Sequence, residues 1–198
     1  PHPCDVGSGT HSAGTYSGEG AGSCSSCGNG KYSLAGASTC TACSSLCGTY
    51  SCIVTTGKCN GCIAGYKFSS GDCTECGSLT YSTGGTTSTC TSCSGCSACE
   101  KTSGKCSSCK AGYILVNNKC QACGSLTYSL GGTVTTCTSC SGCSSCETTT
   151  GVCQTCKAGY ILTNEKCSAC GTLTYSLGGT ETTCKSCSGC SECSTSTG

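Results

Sequence analysis

The chain has 198 residues, of which 31 are Cys, 31 Gly, 35 Ser and 32 Thr, with no Met, no Trp, one Phe and a formal net charge of +1. Ten basic residues scattered singly give no patch to steer the chain to nucleic acid or to an anionic membrane. No apolar run is long enough for a signal peptide or a membrane span within these residues. A leader ahead of Pro1 and an anchor beyond Gly198 stay open.

About one residue in six is cysteine, the density of a disulfide scaffold or a metal-loaded protein. The large apolar side chains of residues 76–122 are Leu79, Tyr81, Tyr113, Ile114, Leu115 and Val116. Their burial cannot offset the conformational entropy of ordering that many residues, so covalent cross-links are expected.

In chain order, residues 1–26 form a cap-like segment in which "AGTYSGEGAGSC" carries a tyrosine–glycine pattern with few cysteines. Repeat 1 spans 27–75, from "CGNGKYSLAGASTCTAC" to "CIAGYKFSSGDC". Repeat 2 (76–122) opens "CGSLTYSTGGTTSTCTSC", repeat 3 (123–169) "CGSLTYSLGGTVTTCTSC", and the partial repeat 4 (170–198) "CGTLTYSLGGTETTCKSC". The period between these three openings is 47 residues. The last copy stops mid-unit at "CSTSTG", so a longer array is expected.

Two loops of each period read as hairpins. In repeat 3 the alternation Leu126, Tyr128, Leu130 predicts a short strand with one apolar face, Gly131-Gly132 a turn, and Thr133 to Thr136 the returning strand. In "AGYILVNNK", Tyr113 and Ile114 lead into an Asn117-Asn118 turn and Lys119 returns toward Cys120. No stretch has helical periodicity, and Ser, Thr and Gly depress helix formation. The expected fold class is small disulfide-rich repeats: two-stranded hairpins and irregular loops stacked into an elongated rod, with almost no helix.

Three chemistries compete for the cysteines. Cys106, Cys109, Cys120 and Cys123 follow C-x2-C-x10-C-x2-C, a spacing that a zinc ribbon uses. "CTSCSGCSSC" (137–146) departs from the ferredoxin run, which needs x3 before its fourth Cys and a following Pro, where Glu147 stands here. A redox-active C-x-x-C needs a helix N-terminus or nearby positive charge, and neither singles out one copy. Disulfide staples fit best.

The run C-x2-C-x2-C-x6-C-x2-C-x-x-Gly-Tyr-…-C, ending in "CKAGYILVNNKC", resembles an epidermal-growth-factor-like (EGF-like) module. In that family the cysteines pair first with third, second with fourth and fifth with sixth. The resemblance implies Cys93–Cys99, Cys96–Cys106 and Cys109–Cys120, which leaves the remaining hairpin to close as Cys76–Cys90. Extended along the chain, the scheme gives Cys4–Cys24, Cys27–Cys40, Cys43–Cys52, Cys47–Cys59 and Cys62–Cys73. It continues with Cys123–Cys137, Cys140–Cys146, Cys143–Cys153, Cys156–Cys167, Cys170–Cys184 and Cys187–Cys193. Cys190 is left unpaired, its partner expected beyond Gly198.

The hairpin half "CSSCGNGKYSLAGASTCTAC", with Gly30, Tyr32, Ser33 and Gly36, resembles the ephrin-receptor-like cysteine-rich repeat. Arrays of this style are similar to protist surface-coat proteins and flagellar-hair proteins. The resemblance implies an extracellular, secreted or cell-surface protein, in agreement with the oxidising compartment that disulfides require.

No catalytic residue, metal or cofactor is expected. The only histidines are His2 and His11, the acidic residues are scattered, and a near-perfect repeat offers many identical weak sites where catalysis needs one asymmetric site. Tyr81, Tyr128 and Tyr175 read as packing residues. The leading expectation is the structural repeat region of an extracellular filament, fibre or surface appendage that self-associates into a homopolymer or lattice. Alternatives are a membrane-anchored surface antigen or receptor stalk and, behind it, an intracellular zinc-binding repeat protein. No Asn-x-Ser/Thr sequon occurs. O-linked glycans are expected at Thr86, Thr87, Thr135, Thr148, Thr149 and Thr182.

Overall fold

A computed structural model describes residues 4–5, 10–17 and 23–198, with nothing stated for the side chains of 4–5 and 10–11. The chain divides into two compact units, residues 1–93 with 99–104, and residues 94–98 with 105–198. Both are built from hairpins, and every sheet among the described residues has two strands. The one helical segment among them is a 3-10 stretch, Ser45–Tyr50, capped by Ser44 Oγ accepting from Leu46 N at 3.2 Å. It falls where the cysteine spacing of repeat 1 lengthens from x2 to x3 and x4, between Cys43, Cys47 and Cys52. Small disulfide-rich hairpin repeats with almost no helix are therefore the fold.

Repeat 3 with its flanks shows the plan. A short tyrosine–serine ribbon pairs Thr127–Tyr128 with Thr138–Ser139. A cysteine ribbon pairs Cys143–Cys146 with Cys153–Cys156 through an irregular register. A long ribbon pairs Tyr160–Thr163 with Lys166–Ala169. The tyrosine–serine ribbon recurs at Lys31–Tyr32 with Thr41–Ala42, Thr80–Tyr81 with Thr91–Ser92, and Thr174–Tyr175 with Lys185–Ser186. A further copy, Thr15–Tyr16 with Ser25–Ser26, lies in the cap-like segment. The long ribbon recurs at Tyr66–Ser69 with Asp72–Glu75 and Tyr113–Val116 with Lys119–Ala122.

The long ribbons turn on two residues with positive φ, as tight hairpins of right-handed twist require. These are Asn117 (49°) and Asn118 (58°), Ser70 (49°) and Gly71 (92°), and Asn164 (49°) and Glu165 (63°).

The first hairpin of the period differs from expectation. Its returning strand is Thr138–Ser139 rather than Thr133 to Thr136, and Gly131-Gly132 is not its turn. Gly132 instead exchanges two backbone hydrogen bonds with Cys109, each 2.8 Å, ahead of the preceding long ribbon. Leu130 points to solvent, 73% exposed, so the alternation Leu126, Tyr128, Leu130 does not make one apolar face. The physical reason is close approach. A Cβ on Gly131 would stand 2.7 Å from Cys109 O and Ala111 N, so a residue without one lets the two chains meet.

The cores are sulfur. Cys140, Cys143 and Cys153 are buried together, with Leu126, Tyr128, Cys146, Leu162 and Cys167 packed on them. In repeat 1, Cys47, Cys52 and Cys59 are covered by Tyr32, Cys43, Phe68 and Cys73. Among the described residues, the only fully buried side chains apart from cysteine are small serines. Among the described residues no helix is long and apolar enough to cross a membrane.

Candidate functional site: the disulfide ladder and its serine junctions

In repeat 1 the structure joins Cys27 to Cys40, Cys43 to Cys52, Cys47 to Cys59 and Cys62 to Cys73. In repeat 2 it joins Cys76 to Cys90, Cys93 to Cys99, Cys96 to Cys106 and Cys109 to Cys120. In repeat 3 it joins Cys123 to Cys137, Cys140 to Cys146, Cys143 to Cys153 and Cys156 to Cys167. In repeat 4 it joins Cys170 to Cys184 and Cys187 to Cys193, and Cys190 is a free, exposed thiol. The Cα–Cα separations run from 5.0 to 6.4 Å, the reach of a disulfide. The Cys4–Cys24 pairing lies outside the described side chains.

The four cysteines with zinc-ribbon spacing are distributed over three different disulfides: Cys106 with Cys96, Cys109 with Cys120, and Cys123 with Cys137. A disulfide sulfur is not a thiolate, so in this oxidised form they are not a ligand set. Disulfide bonding on this scale belongs to an oxidising environment.

The ladder closes loops within a repeat; one serine connects successive ribbons. Ser33, Ser82, Ser129 and Ser176 follow the ribbon tyrosine and are 2%, 2%, 3% and 0% exposed. Ser129 is representative. Its carbonyl accepts from Gly112 N at 2.8 Å, and its hydroxyl donates to Tyr113 O at 2.8 Å, both at the start of the preceding long ribbon. Its N–H donates to Thr148 O at 3.1 Å, in the turn of the following cysteine ribbon. Its hydroxyl oxygen also accepts from Gly131 N at 3.0 Å. The backbone pair recurs at Ser33 with Gly14 and Val54, at Ser82 with Gly65 and Lys101, and at Ser176 with Gly159 and Thr195. A buried hydroxyl that both donates and accepts fixes how one ribbon meets the next.

Beside it, the ribbon tyrosine covers a glycine of the following turn. A Cβ built on Gly57, Gly104 or Gly151 would lie 2.5–2.7 Å from ring atoms of Tyr32, Tyr81 or Tyr128. Tyr175 stands in the same relation to Gly198, at 3.0 Å. Tyr81 and Tyr128 thus pack on the turn of the next ribbon, and Tyr175 packs on Gly198 at the end of the turn 195–197. The long-ribbon tyrosines do the same to glycines that precede them, Tyr113 on Gly95 and Tyr160 on Gly142. A third contact completes the junction: Phe68, Leu115 and Leu162 each donate a backbone N–H to Thr87, Val134 and Glu181, at 2.8, 2.8 and 2.7 Å.

Repeat 4 adds a charge to this junction. Glu181 stands where repeats 2 and 3 have Thr87 and Val134. Its carboxylate accepts from Lys185 Nζ at 2.8 Å, Ser176 Oγ at 2.7 Å and Leu177 N at 3.0 Å. These donors, Lys185 first, hold its pKa down to about 2, and the same pair raises that of Lys185.

Of the threonines expected to carry glycans, Thr86, Thr87, Thr135, Thr148 and Thr182 are exposed and Thr149 is half-buried. Thr87 Oγ1 donates to Gly84 O at 2.9 Å. The serine junction and the tyrosine–glycine packing are the features that composition did not reveal. The available signal was the recurrence of "YS" in every hairpin half.

No protein-family model matches the chain, and no curated protein matches it.

Proposed function

We propose that the chain is the structural repeat region of an extracellular filament, fibre or cell-surface appendage, made of EGF-like and ephrin-receptor-like units. The observation that carries this reading is the equivalence of the junctions. The same serine bonds, tyrosine–glycine contact and Cys–Gly backbone pair recur in successive repeats. In a solenoid-like array each unit meets its neighbours through one repeated interface, and rigidity follows from repetition rather than from a large core. Such a chain presents equivalent surfaces at regular intervals, which suits self-association into a homopolymer or lattice. A unique catalytic centre has no place in it, and on this reading the protein is not an enzyme. O-linked sugars on the exposed threonines would protect loops that lack bulky side chains.

Electron microscopy of the purified, oxidised protein tests this. Ordered filaments or sheets with a repeat along the particle are the expected result. Flexible monomers at all concentrations, or a chain bound to membranes through an anchor outside these residues, would oppose it. Intact mass before and after chemical deglycosylation tests the sugars.

A further inference from the structure

The second repeat feature is a close approach of two disulfides. The Sγ atoms of Cys143, Cys153 and Cys167 all lie within 4.8 Å of one another, and so do those of Cys96, Cys106 and Cys120. In each trio two sulfurs are bonded together, Cys143 to Cys153 and Cys96 to Cys106. The third belongs to the neighbouring bond, Cys156–Cys167 or Cys109–Cys120. Cys143, Cys153 and Cys156 are 0%, 6% and 2% exposed, and Cys167 is the half-buried, reachable member. Cys120 has the same place beside Cys96, Cys106 and Cys109.

We propose that each pair of bonds is an internal thiol–disulfide exchange site, in which opening the outer bond passes the break to the inner one. A small dithiol, the reductant, attacks the reachable sulfur of Cys167. A bond forms between them, the Cys156–Cys167 bond breaks, and Cys156 leaves as a thiolate that takes a proton. The dithiol's second sulfur then closes on its first, which releases Cys167 as a thiolate. Two electrons have passed from the dithiol to the Cys156–Cys167 pair. The Cys167 thiolate, already beside the inner bond, attacks it. A new bond joins Cys167 to Cys143 or Cys153, and the other of those two leaves as a thiolate and takes a proton. This last step consumes no electrons. Its products are a thiol at Cys156 and a thiol at Cys143 or Cys153, and Cys167 is again part of a disulfide.

Exchange is favoured over simple reduction because the attacking sulfur is held at its target, as in any intramolecular reaction with a high effective concentration. Cys156 does not take the same part: its Cα faces that of Cys143 across the ribbon, but its sulfur is not among the three that lie within 4.8 Å of one another, whereas that of Cys167 is.

The test treats the folded protein with limiting dithiol, traps thiols by alkylation and maps bonds by mass spectrometry. Alkylation at Cys156 in excess of Cys167, with Cys167 recovered bonded to Cys143 or Cys153, is the expected result. Equal alkylation of Cys156 and Cys167 with Cys143–Cys153 intact would overturn the proposal. Cys156→Ser gives a second reading without reductant. The free thiol should appear at Cys143 or Cys153; a thiol that stays on Cys167 counts against exchange. In Cys167→Ser the thiol is Cys156, and Cys143–Cys153 should stay intact.

Discussion

Tyr128 covers Gly151: a Cβ at Gly151 would sit 2.6 Å from Cδ1 and Cε1 of the ring. The contact joins a strand of one ribbon to the turn of the next, and the φ of +77° at Gly151 adds a second demand for glycine. Gly151→Ala should therefore destabilise the fold by about 2 kcal/mol, from steric overlap and backbone strain together. Gly124 has no atom within 4 Å of its Cβ position, and Gly124→Ala should change stability by less than about 1 kcal/mol. Denaturant unfolding of the two variants, followed by far-ultraviolet circular dichroism under non-reducing conditions, checks the difference.

Gly131→Ala should cost more than Gly151→Ala. Its neighbours at 2.7 Å are backbone atoms of Cys109, Lys110 and Ala111, which cannot rotate away as a ring can. The adjacent hydrogen bonds between Cys109 and Gly132 should be lost first, read as faster amide exchange at Gly132 than in the parent chain.

Ser129→Ala removes a hydroxyl that serves Tyr113 O and Gly131 N at once. The Gly131 N–H is left buried without its partner, at a cost of about 1–3 kcal/mol. Ser129→Thr keeps the hydroxyl but adds a methyl at a site only 3% exposed, and should rescue little. Calorimetry of the three chains decides it.

Acid should loosen repeat 4 before the others. The folded pKa of Glu181, about 2, is below its ordinary value of 4.5. Its stabilisation is therefore fully present above about pH 4.5 and is lost as pH falls toward 2. Lys185 is raised above 10.5, so its share is present below that value and fades at higher pH. Glu181→Gln should unfold at lower temperature than the parent at neutral pH, with the gap closing between about pH 4.5 and 2. A gap independent of pH would contradict this account of the junction.

The long ribbons were legible in the sequence because their information is local. Tyr113-Ile114 leads into Asn117-Asn118, and paired residues of positive φ dictate a tight reversal. The first hairpin is not legible in the sequence, for the opposite reason. Thr133 to Thr136 carry β-propensity, but propensity yields to tertiary context, here the bonds between Gly132 and Cys109. The cysteine ribbon of repeat 3 has no apolar alternation to announce it; cross-links hold Cys143–Cys146 and Cys153–Cys156 together. The serine junction was equally hidden. A serine in a chain with 35 of them has no distinguishing composition, and only burial shows what Ser129 does.

The central claim is that covalent staples within each repeat, joined by equivalent junctions, make the fold. Proteolysis of the non-reduced protein at several specificities, with thiols blocked and bonds mapped by mass spectrometry, tests it most directly. The account predicts cross-linked peptides for Cys123–Cys137, Cys140–Cys146, Cys143–Cys153 and Cys156–Cys167, with the matching set in repeat 2. Abundant free thiols with stoichiometric zinc, or a different connectivity in the two repeats, would contradict it.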